Sequence, residues 1–381
     1  MQKKLIALAV AAITSSAAFA QSNVTIYGTV DMGYLYRGGN NGALAKTQSQ
    51  HALQSNSAES NIGFKGVEDL GNGLKAIFDL QYVITPDQSS GLGNAYADVA
   101  GLGKGHQYVG LTGGFGTAVA GLLNGHRYAL FAKYNPFGNY SVGNFASMTT
   151  QYDRASNALA YISPSFNGIS LLLATSTNTQ TTEGGLNGVH SVATRIPDGG
   201  NKGDDRLFTT ALIYGNGPLS LDLAYETTNA VGYNDGKLFV VVTGASYDFG
   251  IAKVFGIYDV IKGDKNSLIG GNALGGALGG LTADQQYNRR NWEIGTSIPF
   301  GKAKALLSYG QVKDKTLTNA DASKISIGAR YALSKRTELY TDFAHIKNDS
   351  NARFTINPMG NSDGILGGGI NGFDMGIKHT F

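Results

Sequence analysis

Hydrophobicity alternates with a period of two residues over segments spread along the chain, and two alternating kinds of connection separate those segments. Residues 324–331 place Ile325, Ile327, Ala329 and Tyr331 on one parity, against Lys324, Ser326, Gly328 and Arg330. Residues 74–84 set Leu74, Ala76, Phe78, Leu80, Tyr82 and Ile84 against Lys75, Asp79 and Gln81. The pattern recurs at 219–225 and at 373–381. Successive side chains of a strand point to opposite faces, so each segment has one apolar and one polar side. A soluble β-sandwich alternates in the same way, and the period alone does not decide between the two.

The connections do decide. Short turn signals stand at Gly71-Asn72-Gly73, Gly113-Gly114, 164–168, Asn216-Gly217-Pro218, Asp248-Phe249-Gly250, Pro299-Phe300-Gly301 and 333–336. Longer polar, Gly- and Asn-rich segments lie between them, at 38–54, 85–103, 123–150, 178–204, 229–236, 262–287, 314–322 and 348–370. Seven short turns alternating with eight long loops define sixteen antiparallel strands. Short periplasmic turns at one end and long extracellular loops at the other are the arrangement of a transmembrane β-barrel. Compact soluble domains rarely carry unstructured loops beyond about 12–15 residues, let alone eight of them. Proline is nearly confined to the turns and loops, as central strands require.

Composition supports this and removes other classes. Hydrophobic residues make up 42% and charged residues 15%, with 54 Gly and no Cys. A helical membrane protein would need apolar runs of about 20 residues. A disulfide scaffold is excluded as well. At the start, Lys3 and Lys4 precede nine apolar residues at 5–13, and a small-residue stretch ends Ala18-Phe19-Ala20. That is a secretory signal-peptide pattern, too short to span a bilayer. Residues 1–20 are therefore expected to be cleaved, leaving 21–381 as a single barrel domain. The formal charge of +3 falls to +1 without the two lysines, so no nucleic-acid partner is implied.

Several longer motifs carry a family resemblance. Residues 24–31 (VTIYGTVD), 63–76 (GFKGVEDLGNGLKA), 108–117 (YVGLTGGFGT) and 331–340 (YALSKRTELY), with the terminal Phe381, resemble the general porins of Gram-negative bacteria, above all their β-proteobacterial branch. The resemblance implies a homotrimeric outer-membrane channel whose third long loop folds into the lumen. It also implies that Phe381 belongs to the signal read by the outer-membrane insertion machinery. Lipid, lipopolysaccharide, ions and small hydrophilic solutes are the remaining partners expected, and no cofactor is.

In such porins a row of arginines on the wall faces carboxylates on the third loop, and the transverse field orients polar solutes. Here the matching positions read Asn61, Leu122 and Ala160, and residues 124–150 contain no Asp or Glu. The expected constriction comprises His126, Arg127, Tyr128, Phe131, Lys133 and Tyr134 on the third loop. Facing wall residues are Asp31, Asn61, Lys65, Asp79, Asp222, Arg330 and Asp342. Arg127, Lys133 and Lys65 would make it weakly cationic and mildly anion-preferring, whereas Asp31, Asp79, Asp222 and Asp342 would oppose that. Tyr128, Phe131, Tyr134, Phe137 and Tyr140 recur every three residues. They either pin the loop to the wall or form an aromatic slide for planar solutes.

Chemistry of other kinds is absent from the sequence. The six His form no short metal-ligand pattern, and no G-x-S-x-G elbow is present. Gly270 to Gly280 lacks the Lys-Ser/Thr of a phosphate cradle, and Asp204-Asp205 reads as a loop turn or a divalent-ion contact. Passive diffusion is the leading reading. A substrate-specific channel, a barrel hydrolase and an adhesin are the alternatives.

Overall fold

The computed structural model describes residues 23–39, 49–87, 103–149, 154–177, 206–230, 236–263, 287–316, 320–349, 352, 354–356 and 369–381. The signal segment 1–20, Asp204-Asp205 and the 270–280 glycine run lie outside these residues. The strands are β1 (Asn23–Gly38), β2 (Gln50–Gln54), β3 (Asn61–Gly71), β4 (Leu74–Val83), β5 (Gly103–Gly113), β6 (Gly116–Asn124), β7 (Arg154–Ile162), β8 (Ile169–Ser176) and β9 (Arg206–Asn216). They continue as β10 (Leu219–Ala230), β11 (Gly236–Asp248), β12 (Lys253–Gly263), β13 (Tyr287–Phe300), β14 (Ala303–Asp314), β15 (Ala322–Ala332), β16 (Thr337–Asn348) and β17 (Asn371–Thr380). Between β6 and β7 the third loop carries helix α1 (His126–Tyr134) and a 3-10 turn, Ala146–Met148.

From β3 to β17 each strand pairs antiparallel with the next, and β1 closes the sheet by pairing with β17 on one side and with β2 and β3 on the other. β2 pairs with 33–37 of β1, and β3 pairs with 23–29. They are two halves of one wall strand broken at 55–60, so the barrel is sixteen-stranded. The expected first loop, 38–54, is shorter than read, because Gln50–Gln54 already lies in the sheet. Closure leaves no edge whose unpaired backbone groups would face lipid.

Asp31 explains the break. Its Oδ2 accepts backbone N–H bonds from Asn56 (3.1 Å), Ser57 (2.5 Å) and Ala58 (2.6 Å), and its Oδ1 accepts one from the Tyr340 hydroxyl (2.7 Å). Ser55 and Ser60 donate their hydroxyls to the Asp31 carbonyl at 2.9 and 3.1 Å. Donors that leave the ladder are thereby satisfied inside the barrel, where an orphan would cost about 1–3 kcal/mol.

All seven short turns fall where the sequence puts them. At the first, Gly71, Asn72 and Gly73 have φ of 86°, 54° and 77°, a left-handed run that Gly and Asn tolerate. The chain end is fastened to its beginning: Phe381 donates its N–H to the Gly28 carbonyl (3.0 Å) and Gly28 returns one to Phe381 (3.2 Å). The Phe381 ring occupies the space over Gly28, where a Cβ would collide with it.

Outward parities expose an apolar band that includes Ile26, Val109, Leu159, Leu212, Ile294 and Ile327. Near the short turns and the C-terminus, Phe115, Phe166, Phe249, Phe300 and Phe381 are exposed, the aromatic girdle of a membrane barrel. The hydrophobic core lies inside the cylinder. Leu130, Phe131, Phe145 and Met148 of the third loop pack with Leu238, Val240, Ile257, Ile261, Val312 and Ile346 of the wall.

Candidate functional site in the barrel lumen

Inward glycines prepare the wall for the third loop. A Cβ on Gly244 of β11 would collide with the Tyr134 ring, and one on Gly310 of β14 with Phe145. Likewise Pro136 lies 2.7 Å from such a position on Gly295, Phe137 2.8 Å from one on Gly328, and Val142 3.1 Å from one on Gly372. Five loop side chains thus sit in notches left by five glycines on β11, β13, β14, β15 and β17. On this half of the wall, inward glycine makes room for the loop and does not widen the lumen.

Wall carboxylates supply the polar anchors. Arg127 donates to Asp259 of β12 at 2.9 Å, and the Thr149 hydroxyl donates to the same carboxylate at 3.0 Å. Lys133 and the Tyr134 hydroxyl donate to Asp222 Oδ1 on β10 at 3.0 and 2.9 Å. Ser141 donates to Asp342 on β16, which Arg330 of β15 also grips through two nitrogens. The Val142 N–H donates to Asp374 of β17 at 2.8 Å. In the pairs formed by Arg127 and Lys133 the acid stands on the wall and the cation on the loop, the reverse of the arrangement implied by the resemblance, while the wall also carries Arg330 beside Asp342 and Lys324, which donates to the Asn144 carbonyl of the loop.

These contacts bear on the expected weakly cationic constriction. Arg127 is 1% exposed and its ion-pair partner Asp259 is fully buried, so this guanidinium faces the wall instead of water. Lys133 stays 40% exposed, with Asp222 beside it. Burial alone lowers the Lys133 ammonium, but its bonds to Tyr134 and Asp222 outweigh that and hold its pKa raised. Burial pushes His126 below the ordinary 6.5, so it adds no charge near neutral pH. Phe131, Tyr134, Phe137 and Tyr140 are buried, and Tyr128, half-buried, shares a hydroxyl hydrogen bond with Tyr140 (2.9 Å). In this geometry four of the five rings pin the loop, and Tyr128 alone of the five keeps partial exposure.

The wall positions divide in two. Asp31, Asp222, Arg330 and Asp342 point inward but are buried and bonded, so none is a free wall charge. Lys65, Asp79 and Asn61 stand on the other half of the wall, which the third loop leaves uncovered. Lys65 lies 5.0 Å from the Tyr27 ring centroid, and Asp79 accepts the Tyr27 hydroxyl at 2.6 Å with His106 3.3 Å away. Asn61 donates to the Glu59 carbonyl at 2.8 Å. Of the two remaining arginine-replacing positions, Ala160 faces inward opposite Val119, while Leu122 pairs with Gln107 on the outward parity.

Sequence reasoning missed Asp259, Asp374 and the Arg154–Glu59 ion pair, which joins the start of β7 to the β2–β3 break. Asp259 carried a signal: Phe255, Ile257 and Ile261 share its parity, so it is the one acid on an inward face that is otherwise apolar from 255 to 261.

A closed antiparallel barrel of sixteen strands has clear counterparts. The sequence model described as Gram-negative porin matches residues 7–351. The chain belongs to the Gram-negative porin family. Outer membrane porin protein 32 of Delftia acidovorans is 29% identical over 399 residues, covering 100% of both chains. An outer membrane porin protein of Bordetella pertussis is 30% identical over 382 residues, covering 91% of this chain and 95% of the relative. Among solved structures, the anion-selective porin from Comamonas acidovorans superposes with a TM-score of 0.73 at 26% identity, over 95% of this chain and 100% of that one. Salmonella typhi OmpF shares the fold with a TM-score of 0.61 at 18% identity, over 94% and 97%. This porin is an outer-membrane channel for the passive diffusion of small hydrophilic solutes.

Proposed function

We propose that the porin is a homotrimeric, weakly selective channel in which solutes pass between the exposed side of the third loop and the wall from β3 to β10. One observation carries this: the loop cations Arg127 and Lys133 are matched by Asp259 and Asp222 at 2.9 and 3.0 Å. A charge neutralised at contact distance projects little field into water. The related Comamonas porin is described as anion-selective. In this chain the pairing and the three arginine-free positions argue for a flatter profile. Reversal potentials in a salt gradient test it, and a strongly anion-selective wild type would refute it.

We propose the remaining features of the reading on the sequence pattern and the family resemblance. Residues 1–20 are a signal peptide cleaved before Gln21, and N-terminal sequencing of protein from outer membranes checks this. Phe381 and its girdle partners make the chain end the part read by the insertion machinery, with lipid and lipopolysaccharide around the finished barrel. Deleting Phe381 is expected to lower the amount of folded protein in outer membranes several-fold, measured by its heat-modifiable mobility. The protein is a channel and not an enzyme. Hydrolysis by purified trimer, abolished by a single Ser or His change, would contradict that.

A further inference from the structure

A cavity of about 330 Å3 opens on the lumen wall between β6–β10 and α1. Its floor is apolar: Ala158, Ala160, Leu172, Ala174, Leu207 and Ile213 line it, all on inward parities. Porin lumens are ordinarily polar, and pockets of about 300 Å3 and more suit small organic ligands. Two threonines lie among the lining residues, but their hydroxyls are engaged. Thr175 donates to the Leu207 carbonyl at 3.0 Å and Thr209 to Glu226 at 3.3 Å.

The charged corner of the cavity is asymmetric. Asp222 is 4% exposed and its Oδ1 already accepts both Lys133 and the Tyr134 hydroxyl. Lys133 is 40% exposed, and among the described residues its ammonium group, which has three donors, bonds to Asp222 and Tyr134. The exposed partner of the pair is the cation. His126 lines the same corner, and among the described residues its buried Nε2 has no hydrogen-bond partner.

We propose that this cavity is a binding subsite for small monocarboxylates with an aromatic or branched aliphatic body, the carboxylate on Lys133 and the body against Ala160, Leu172, Ala174 and Ile213. The subsite rests on the channel reading only for delivery of the solute from the lumen. Binding itself is measurable without conduction.

Benzoate is the probe and acetate its control, each titrated into detergent-solubilised trimer by calorimetry. Benzoate is expected to bind saturably and at least about tenfold more tightly than acetate, the difference being the buried ring. Lys133→Gln and Ala160→Asn, each verified as folded by heat-modifiable mobility, are expected to weaken benzoate by about tenfold or more, while Lys133→Arg keeps it. Equal affinities for benzoate and acetate overturn the proposal, as does undiminished binding by K133Q or A160N. Preference for cyclohexylammonium overturns it too, by assigning the charge to Asp222. Conduction without benzoate binding removes the subsite alone. Binding without conduction supports the subsite and removes the channel reading.

Discussion

A single inward carboxylate, Asp31, organises the break in the second wall strand through three backbone N–H groups and the Tyr340 hydroxyl. Asp31→Ala strands these donors and is expected to destabilise the barrel by about 3 kcal/mol or more, read as a lower dissociation temperature on unboiled gels. Asp222→Asn acts on permeation instead. It leaves Lys133 without its counter-ion and is expected to move the reversal potential toward anions with little change in fold. As inward acids in alternating strands, Asp31, Asp222 and Asp342 were legible in the sequence. Their partners were not: Asp222 meets Lys133 across 89 positions, and Asp342 meets Ser141 across 201. Only barrel closure brings such residues together.

At the level of elements, the strands and their seven turns were readable because period-two patterning and turn chemistry are local. The β2–β3 break was not, since residues 50–54 read as part of the first loop, 38–54, and their return to the sheet depends on Asp31. In the proposed channel the third loop is the element on which permeation turns, and shape and charge both hold it. Gly310→Leu fills the notch under Phe145 and is expected to destabilise the loop by about 1–3 kcal/mol, read as noisier and more variable single-channel conductance. The Arg127–Asp259 pair shows the value of context. Removing either partner alone strands a buried charge and costs about 3–5 kcal/mol, whereas Arg127→Leu combined with Asp259→Leu is expected to be far milder than either change alone. A thermal melt of the three variants checks that order.

Across the whole molecule, an outward apolar band holds the barrel in lipid, while the inside is divided between a covered wall and an open one. The third loop covers the wall from β10 round to β17, using apolar packing, glycine notches and four carboxylates. Solutes are left with the wall from β3 to β10, where Lys65 and Asp79 stand near each other and the apolar floor begins at β6. The low charge of the third loop, visible in its sequence, reflects a loop built to dock on an acidic wall. The most direct test is the reversal potential of the purified trimer in a tenfold KCl gradient across a planar bilayer. The account predicts a value within about 15 mV of zero, against about 59 mV for a perfectly selective pore, and a shift toward anions in D222N. A wild-type value near the anion limit, unmoved by D222N, would contradict it.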